Sequence, residues 1–419
     1  MYKLWEFYRD KSFMLKITVG FVLGVLVGLI FGPSAQVLSP LGDLLLRLLN
    51  MIIVPLILFT LIAAVNNTNS KKLGKIGGKI FVYYILTTAV AIVIGLLLAM
   101  LVNPGLGLAL PQENVEVPEA PTFIQVLLEI VPTNIFEAMV NADILGIIFV
   151  AIIIGVTISS LRHASETKLN DWGNTLLKIT DAGSEVVFRI LNGVLQYAPI
   201  GVFAIGASAI GGQGLDALAS LAKLTGVVYV AVAVQFIVVY MLLLRVFKVP
   251  IIPFFKNVSE AISTAFMTSS SLGTLPITIK SAKKAGIGDD VSSFTLPVGA
   301  TVNMDGAAIR LGVSAIFAAN IIGLDLSFSA LFGIVLTGTL ASIGTAGVPG
   351  AGLIALSIVL TQAGLPIEVV ALVAGVDVVL GMIATACNVT GDLVGAAIVD
   401  KSEKKNVSGV QRYTQEEAM

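Results

Sequence analysis

The stretch VSEAISTAFMTSSSLGTLPITI, residues 258–279, decides how this chain folds. It is long enough to cross a hydrocarbon core of roughly 30 Å as a helix, yet Lys248 and Lys256 stand before it and Lys280, Lys283 and Lys284 after it. Lys and Arg gather in cytoplasmic loops, so both ends require the same side. A re-entrant hairpin meets that demand, and the middle, Ser269-Ser270-Ser271-Leu272-Gly273-Thr274-Leu275-Pro276, is a run of turn formers and helix breakers. The mirror case lies downstream. Residues 331–365 contain no Lys or Arg and carry Gly344-Thr345-Ala346-Gly347-Val348-Pro349-Gly350 at their centre, which predicts a second hairpin opening from the outer side.

The basic residues orient the rest of the chain. Lys3, Arg9, Lys11 and Lys16 place the N-terminus inside, and the apolar runs 13–31 and 44–65 form a helical pair that returns to Lys71, Lys72, Lys75 and Lys79. Residues 80–102 then lead out to a loop with Glu113, Glu116 and Glu119 but no Lys or Arg. A fourth span returns to Arg162 and Lys168; a fifth, 176–210, emerges at Gly211 to Gly214; a sixth ends at Arg245, Lys248 and Lys256. Between the two hairpins runs a seventh span, and the last helix, 368–399, exits inside at Lys401, Lys404 and Lys405. The expectation is an all-α membrane protein of eight transmembrane helices plus two re-entrant hairpins. Its C-terminal half reads hairpin then helix, twice, in opposite orientations. Inverted repeats with Gly- and Pro-broken segments at matching positions point to a binding site near the bilayer midplane of a secondary transporter.

Composition agrees with this and excludes much else. Of 419 residues, 56% are hydrophobic and only 12% charged, which no soluble globular domain resembles. Apolar runs recur along the whole length and leave no room for a separate soluble domain. A net charge of -1 with no free-standing basic patch argues against nucleic acid. A single cysteine, Cys387, rules out a disulfide framework. The only histidine, His163, lies in a polar loop and is read as a solvated residue. The basic start before an apolar run imitates a signal peptide, but no small-x-small cleavage site follows, so it reads as an uncleaved first helix.

Inside this apolar sequence sits a polar constellation. The seventh span carries Asn303-Met304-Asp305-Gly306 and the eighth Asn388-Val389-Thr390-Gly391-Asp392. A carboxylate in the bilayer costs several kcal/mol unless it is paired or metal-bound. With Gly306 and Gly391 placed where each helix is expected to open, carbonyl and carboxylate oxygens suit a hard cation, and sodium fits. Asp377, Gly381, Ala384, Asn388 and Asp392 recur at helical spacing on one face of the last helix. Arg310 is the one basic residue deep within the seventh span and needs a partner. That partner is either Asp377 in a structural pair or a carboxylate of the substrate.

At these residues the chain resembles the dicarboxylate/amino acid:cation symporter family over essentially its whole length. The resemblance implies an elevator-type homotrimer in the cell membrane, with both termini cytoplasmic. Residues 1–75 and 120–245 would include scaffold helices, 76–103 and 250–400 the moving transport part, and 401–419 a cytoplasmic tail. It also implies transported sodium ions. One site would use Gly299, Asn303, Asn388 and Asp392; a second Tyr84, Thr87, Thr88, Asn303 and Asp305; a third the backbone around Thr301, Ser342, Ile343 and Thr345. The substrate, a small carboxylate or amino acid, would meet Ser270 and Ser271 in the first hairpin, Val348 and Gly352 in the second, and Thr385 and Asn388 on the last helix, with Arg310, Gly381 and Ala384 beside them.

Three positions depart from the family pattern. Acidic amino-acid carriers have an Asp where this chain has Gly381, an Arg where it has Ala384, and a Thr where it has Ala307. Losing a charge-assisted contact in a buried site costs roughly 1.5 to 3 kcal/mol, so the expectation is weak transport of glutamate and aspartate and a preference for substrates without an unpaired amine. Two other classes fit the sequence less well. An intramembrane aspartyl protease has Gly-x-Gly-Asp where this chain has Val389-Thr390-Gly391-Asp392, without the first Gly. A channel needs repeated polar rings along a pore, whereas polarity here concentrates at two hairpin tips and two helices. The symporter reading leaves proton in place of sodium, or an anion-conducting channel, as alternatives.

Overall fold

In the computed structural model, residues 13–66, 74–108, 128, 131–141, 143–344 and 351–416 are described, and every regular element among them is helical. Helices are the form in which a segment pairs all its backbone groups by itself, as a bilayer demands. α1 (Phe13–Phe31) passes through a 3-10 turn (Gly32–Leu38) into α2 (Ser39–Asn66), and α3 spans Gly74–Val102. A short α4 (Ile135–Val140), capped by the Asn134 side chain, precedes α5 (Ile144–Arg162). The predicted fifth span is the middle of a longer rod, α6 (Thr167–Gln213), of 47 residues. The sixth is α7 (Leu215–Val234), a π-helical turn (Gln235–Tyr240) and α8 (Met241–Val246).

α1, α2, α5 and α6 pack chiefly on one another. Gly20, Gly24 and Gly28 recur every fourth residue along α1 where it meets α6. A Cβ on Gly28 would stand 2.7 Å from the Ala207 carbonyl oxygen, so only small residues let these backbones approach.

The predicted first hairpin is α9 (Ile251–Thr268) folded back against α10 (Ser271–Lys284). Glu260 of α9 binds both Lys280 (3.1 Å) and Lys284 (2.6 Å) of α10, so the two open ends lie together. The break is tighter than the eight-residue run suggests. Only Ser269 and Ser270 are non-helical: Ser269 is left-handed (φ 48°, ψ 34°), and Ser270 Oγ caps α10 by accepting from Gly273 N at 3.0 Å. From Leu272 to Pro276 the chain is already helix. The arms of the second expected hairpin, α13 (Phe328–Gly344) and α14 (Ala351–Gln362), pack against each other, and their joining residues 345–350 lie outside the described residues.

The seventh span is α11 (Asp289–Val302) and α12 (Asp305–Ile321), parted at Asn303 and Met304. The opening thus comes before Gly306, which already belongs to α12. The eighth is α15 (Glu368–Ala374) and α16 (Asp377–Glu416). Here the expectation needs correction. The break falls at Gly375 and Val376, and α16 runs unbroken through Asn388, Gly391 and Asp392. Gly391 serves approach instead: a Cβ there would stand 2.5 Å from Asn303 Nδ2 and 2.7 Å from Tyr240 Oη.

Among the described residues, six helical stretches are long and apolar enough to cross a membrane: Leu15–Ala63, Ile76–Val102, Thr167–Gly212, Asp216–Val246, Asp289–Ile321 and Asp377–Lys404. The first contains both α1 and α2. α3 packs most heavily on α12, and α12, α11, α9 and α10 all meet α16. Residues 215–246, expected with the scaffold, pack chiefly on α3, α12 and α16.

Candidate functional site

The interruption between α11 and α12 gathers the polar residues. Asn303, the first residue of the break, is 0% exposed and sends Nδ2 to Asp392 Oδ1 (3.1 Å) and to the Asn388 carbonyl (3.3 Å). Thr87 Oγ1 of α3 donates to Asn303 Oδ1 at 3.4 Å. Asn388 then splints the two helices: its Oδ1 accepts from Gly306 N at 2.7 Å, and its Nδ2 lies 3.2 Å from Met304 Sδ. Gly306 must be glycine for this, because a Cβ would stand 2.6 Å from Ala384 Cα and closer still to its carbonyl oxygen. Ala384 is therefore part of the α12 and α16 seam.

Asp305 is fully buried and opens α12. Its Oδ1 accepts from Thr88 Oγ1 (2.8 Å) and Thr87 Oγ1 (3.3 Å); its Oδ2 accepts from Tyr240 Oη (2.7 Å) and Gln235 Nε2 (3.3 Å). All four donors are neutral. Gln235 and Tyr240 bracket the π-helical turn, a feature common at functional sites, and neither was singled out from the sequence. Their only prior signal is polarity on an apolar span, one residue at each end of that turn.

Asp392, 1% exposed, accepts from Asn303 Nδ2 at 3.1 Å. Gly299 lies against it, and a Cβ on Gly299 would also stand 2.5 Å from Tyr84 Oη. Tyr84 itself donates to the Thr295 carbonyl at 2.8 Å, while its neighbour Tyr83 reaches the Gly391 carbonyl at 3.2 Å. The fold thus brings together Gly299, Asn303, Asn388 and Asp392, and beside them Thr87, Thr88 and Asp305, with the Tyr84 hydroxyl turned to α11. Two ionisable carboxylates surrounded by hydroxyl, amide and carbonyl oxygens form a donor set suited to hard cations.

The third expected group is less closely drawn. Thr301 and Ser342 sit near the C-terminal ends of α11 and α13, which pack together, and their hydroxyls bond back to Val298 O (3.0 Å) and Thr339 O (2.8 Å). Ile343 belongs to α13, and Thr345 and Val348 lie outside the described residues.

Of the expected substrate contacts, Ser270 spends its hydroxyl on the α10 cap. Ser271 is 2% exposed and its Oγ has no hydrogen-bond partner among the described residues; Ser269, 6% exposed, is in the same state. Gly381 faces Ser269, whose Oγ lies 3.8 Å from where a Cβ would stand. Thr385, one turn further along α16, is buried. Arg310 Nη2 lies 2.6 Å from Asp377 Oδ1 with both side chains under a tenth exposed, and its guanidinium abuts Gly352 of α14. The pairing with Asp377 is therefore formed. Arg310 stands between α12, α14 and α16.

The family model described as Sodium:dicarboxylate symporter family matches residues 13–402 of this chain. Similar proteins include a proton/sodium-glutamate symport protein of Bacillus subtilis, 34% identical over 93% of this chain and 92% of its own length. A proton/glutamate-aspartate symporter of Escherichia coli is 32% identical, covering 94% and 93%. A C4-dicarboxylate transport protein of Bacillus subtilis is 30% identical over 94% of each.

Proposed function

The chain belongs to the sodium:dicarboxylate symporter family, a family of transporters and not of enzymes, and on that premise we propose that it couples cation influx to uptake of a small organic carboxylate or amino acid. Asp305 and Asp392 carry this reading. They lie in the bilayer-crossing part of the chain, nearly unexposed, linked through Asn303 and Thr87, and among the described residues neither forms an ion pair with a basic side chain. A carboxylate so placed is costly until a positive charge arrives. The arriving cation is sodium, bound by Asp305 with Thr87, Thr88 and Asn303, and by Asp392 with Gly299, Asn303 and Asn388; Thr301, Ser342, Ile343 and Thr345 form the third locus.

The substrate occupies the space between the two hairpins and α16, contacting Ser271, Val348, Gly352, Thr385 and Asn388. α3, the two hairpins and the seventh and eighth helices move as one body against α1, α2, α5 and α6, in a cell-membrane homotrimer with cytoplasmic termini. Residues 215–246 travel with that body, because they reach Asp305 through Gln235 and Tyr240. A proton in place of sodium is the second reading, favoured by the word proton in the names of two relatives. Uptake into proteoliposomes under imposed sodium or proton gradients decides between them. In parallel, Asp392→Asn is expected to abolish sodium-dependent thermal stabilisation of the purified protein while leaving it folded. Unchanged sodium titration in that variant would sink the assignment.

A further inference from the structure

On the side that the lysines mark as cytoplasmic, three helices are tied together by charge. Lys79 of α3 donates to Ser402 Oγ (2.6 Å) and pairs with Glu403 Oε1 (2.5 Å), both on α16, and the paired side chains are only 31% and 25% exposed. Asp400 of α16, 8% exposed, accepts from Gly288 N at 3.1 Å just before α11 and from Lys404 Nζ at 2.7 Å. Lys404 also reaches the Gly286 carbonyl at 3.3 Å. One acid thus binds α16 to α3 and another binds it to the start of α11. The other ion pairs of this surface do something different. Glu260 with Lys280 and Lys284 closes the first hairpin, and Lys283 with Asp289 joins α10 to α11, so neither touches α16.

The same three helices carry the cation ligands proposed above. Thr87 lies eight residues after Lys79 on α3, and Asp392 eight before Asp400 on α16, about 12 Å of helix in each case. The space between is filled. Ile80, Tyr84, Val291 and Val399 form part of a small apolar cluster of their own, and α16 comes so close to α3 that a Cβ on Gly395 would stand 2.6 Å from Tyr83 Cε1. Close-packed side chains transmit strain with little slack, so a shift at one end of this seam is felt at the other. We propose that Lys79, Asp400 and Glu403 are positioning residues for the cation site: their clasp sets the register of α3 and α11 against α16, and with it the spacing of Thr87, Asn303 and Asp392. The inference rests on the sodium-coupled reading and adds a remote control to it. Coupling between two sites is reciprocal. The affinity that the clasp lends to sodium is returned as a tighter clasp when sodium is bound, and cation occupancy is thereby felt at the cytoplasmic surface.

The test uses the full-length protein in detergent, titrated calorimetrically with sodium chloride at an ionic strength held constant by choline chloride. Lys79→Met and Glu403→Gln should each weaken sodium binding about three- to fivefold, the range open to a part-buried ion pair. Asp400→Ala should weaken it about tenfold, because a charged acceptor is lost. The swap Lys79→Glu with Glu403→Lys should regain most of the affinity, and Lys283→Met, which breaks an exposed pair on the same surface, should stay within about twofold of the parent. Hydrogen exchange supplies the reciprocal readout. In the parent, sodium should slow exchange of the Gly288 amide, whose N–H is bonded to Asp400, and Asp400→Ala should lose that response. A merely structural clasp would lower the unfolding midpoint and leave both readouts unchanged. Native-like sodium affinity in Lys79→Met and Asp400→Ala, or exchange at Gly288 indifferent to sodium, would overturn the proposal and leave the symporter reading standing. A parent protein that binds no sodium would bring down the sodium assignment and this inference with it.

Discussion

Two buried carboxylates on the same bundle are treated in opposite ways. Asp305 receives four neutral hydrogen bonds, two on each oxygen, and among the described residues forms no ion pair with a basic side chain. Asp377 has a full counter-charge at 2.6 Å, the Arg310 guanidinium. The first arrangement fixes geometry and leaves charge to be supplied; the second has its charge already balanced. A bare cation needs the former, because its ligands must be preset and negative.

The largest test breaks the second half of this contrast. Arg310→Ala leaves Asp377 buried without its counter-charge, and removing one partner of a buried pair typically costs about 3–5 kcal/mol, read as a lowered thermal midpoint. The neutral pair Arg310→Met with Asp377→Leu should recover most of that loss. If Arg310→Ala is silent, Asp377 is not held by charge and the contrast fails.

The first half is sharpened by Tyr240→Phe, which deletes the shortest hydrogen bond to Asp305. Bonds to charged groups contribute about 1.5–3 kcal/mol, so the unfolding midpoint in choline chloride should fall by that equivalent. Sodium affinity should change as well, because a ligand carboxylate loses an anchor. Gly391→Ala sets a third mark. Its methyl would press on Asn303 Nδ2 and Tyr240 Oη, with an overpacking cost of about 1–3 kcal/mol and a weaker sodium response. The smallest effect belongs to Gly381→Ala, whose Cβ meets nothing nearer than 3.8 Å. Stability should stay within about 0.5 kcal/mol of the parent, while any ligand seated between Ser269 and α16 is displaced and its titration weakens.

The helical pairing of 251–284 was legible because charge and breaker residues both mark it: lysines at each end, serines and Gly273 between. The Asn and Asp motifs were legible for a similar reason, since acid is conspicuous in apolar sequence. What escaped reading was geometry without composition. Gly391 looks like a breaker in sequence, but glycine in a helix has two uses, and here the neighbouring Asn303 and Tyr240 require the close approach. The π-helical turn at Gln235 leaves no local signature, since its cause is tertiary: it aims two side chains at Asp305. Ser269 and Ser270 are adjacent and chemically alike, and only the left-handed backbone at Ser269 decides which becomes the cap and which faces Gly381.

α6 has a further consequence. At about 1.5 Å per residue its 47 residues extend roughly 70 Å, more than twice the thickness of a hydrocarbon core of about 30 Å. Such a rod reconciles itself with a bilayer by leaning steeply or by projecting from it, and Pro199 within it provides a place to bend. Since α1 and α2 lie along α6, they inherit its inclination. Lipid chain length then sets the slope of the wall along which the other helices rest, and the transport rate should vary with membrane thickness even when ion gradients are held constant.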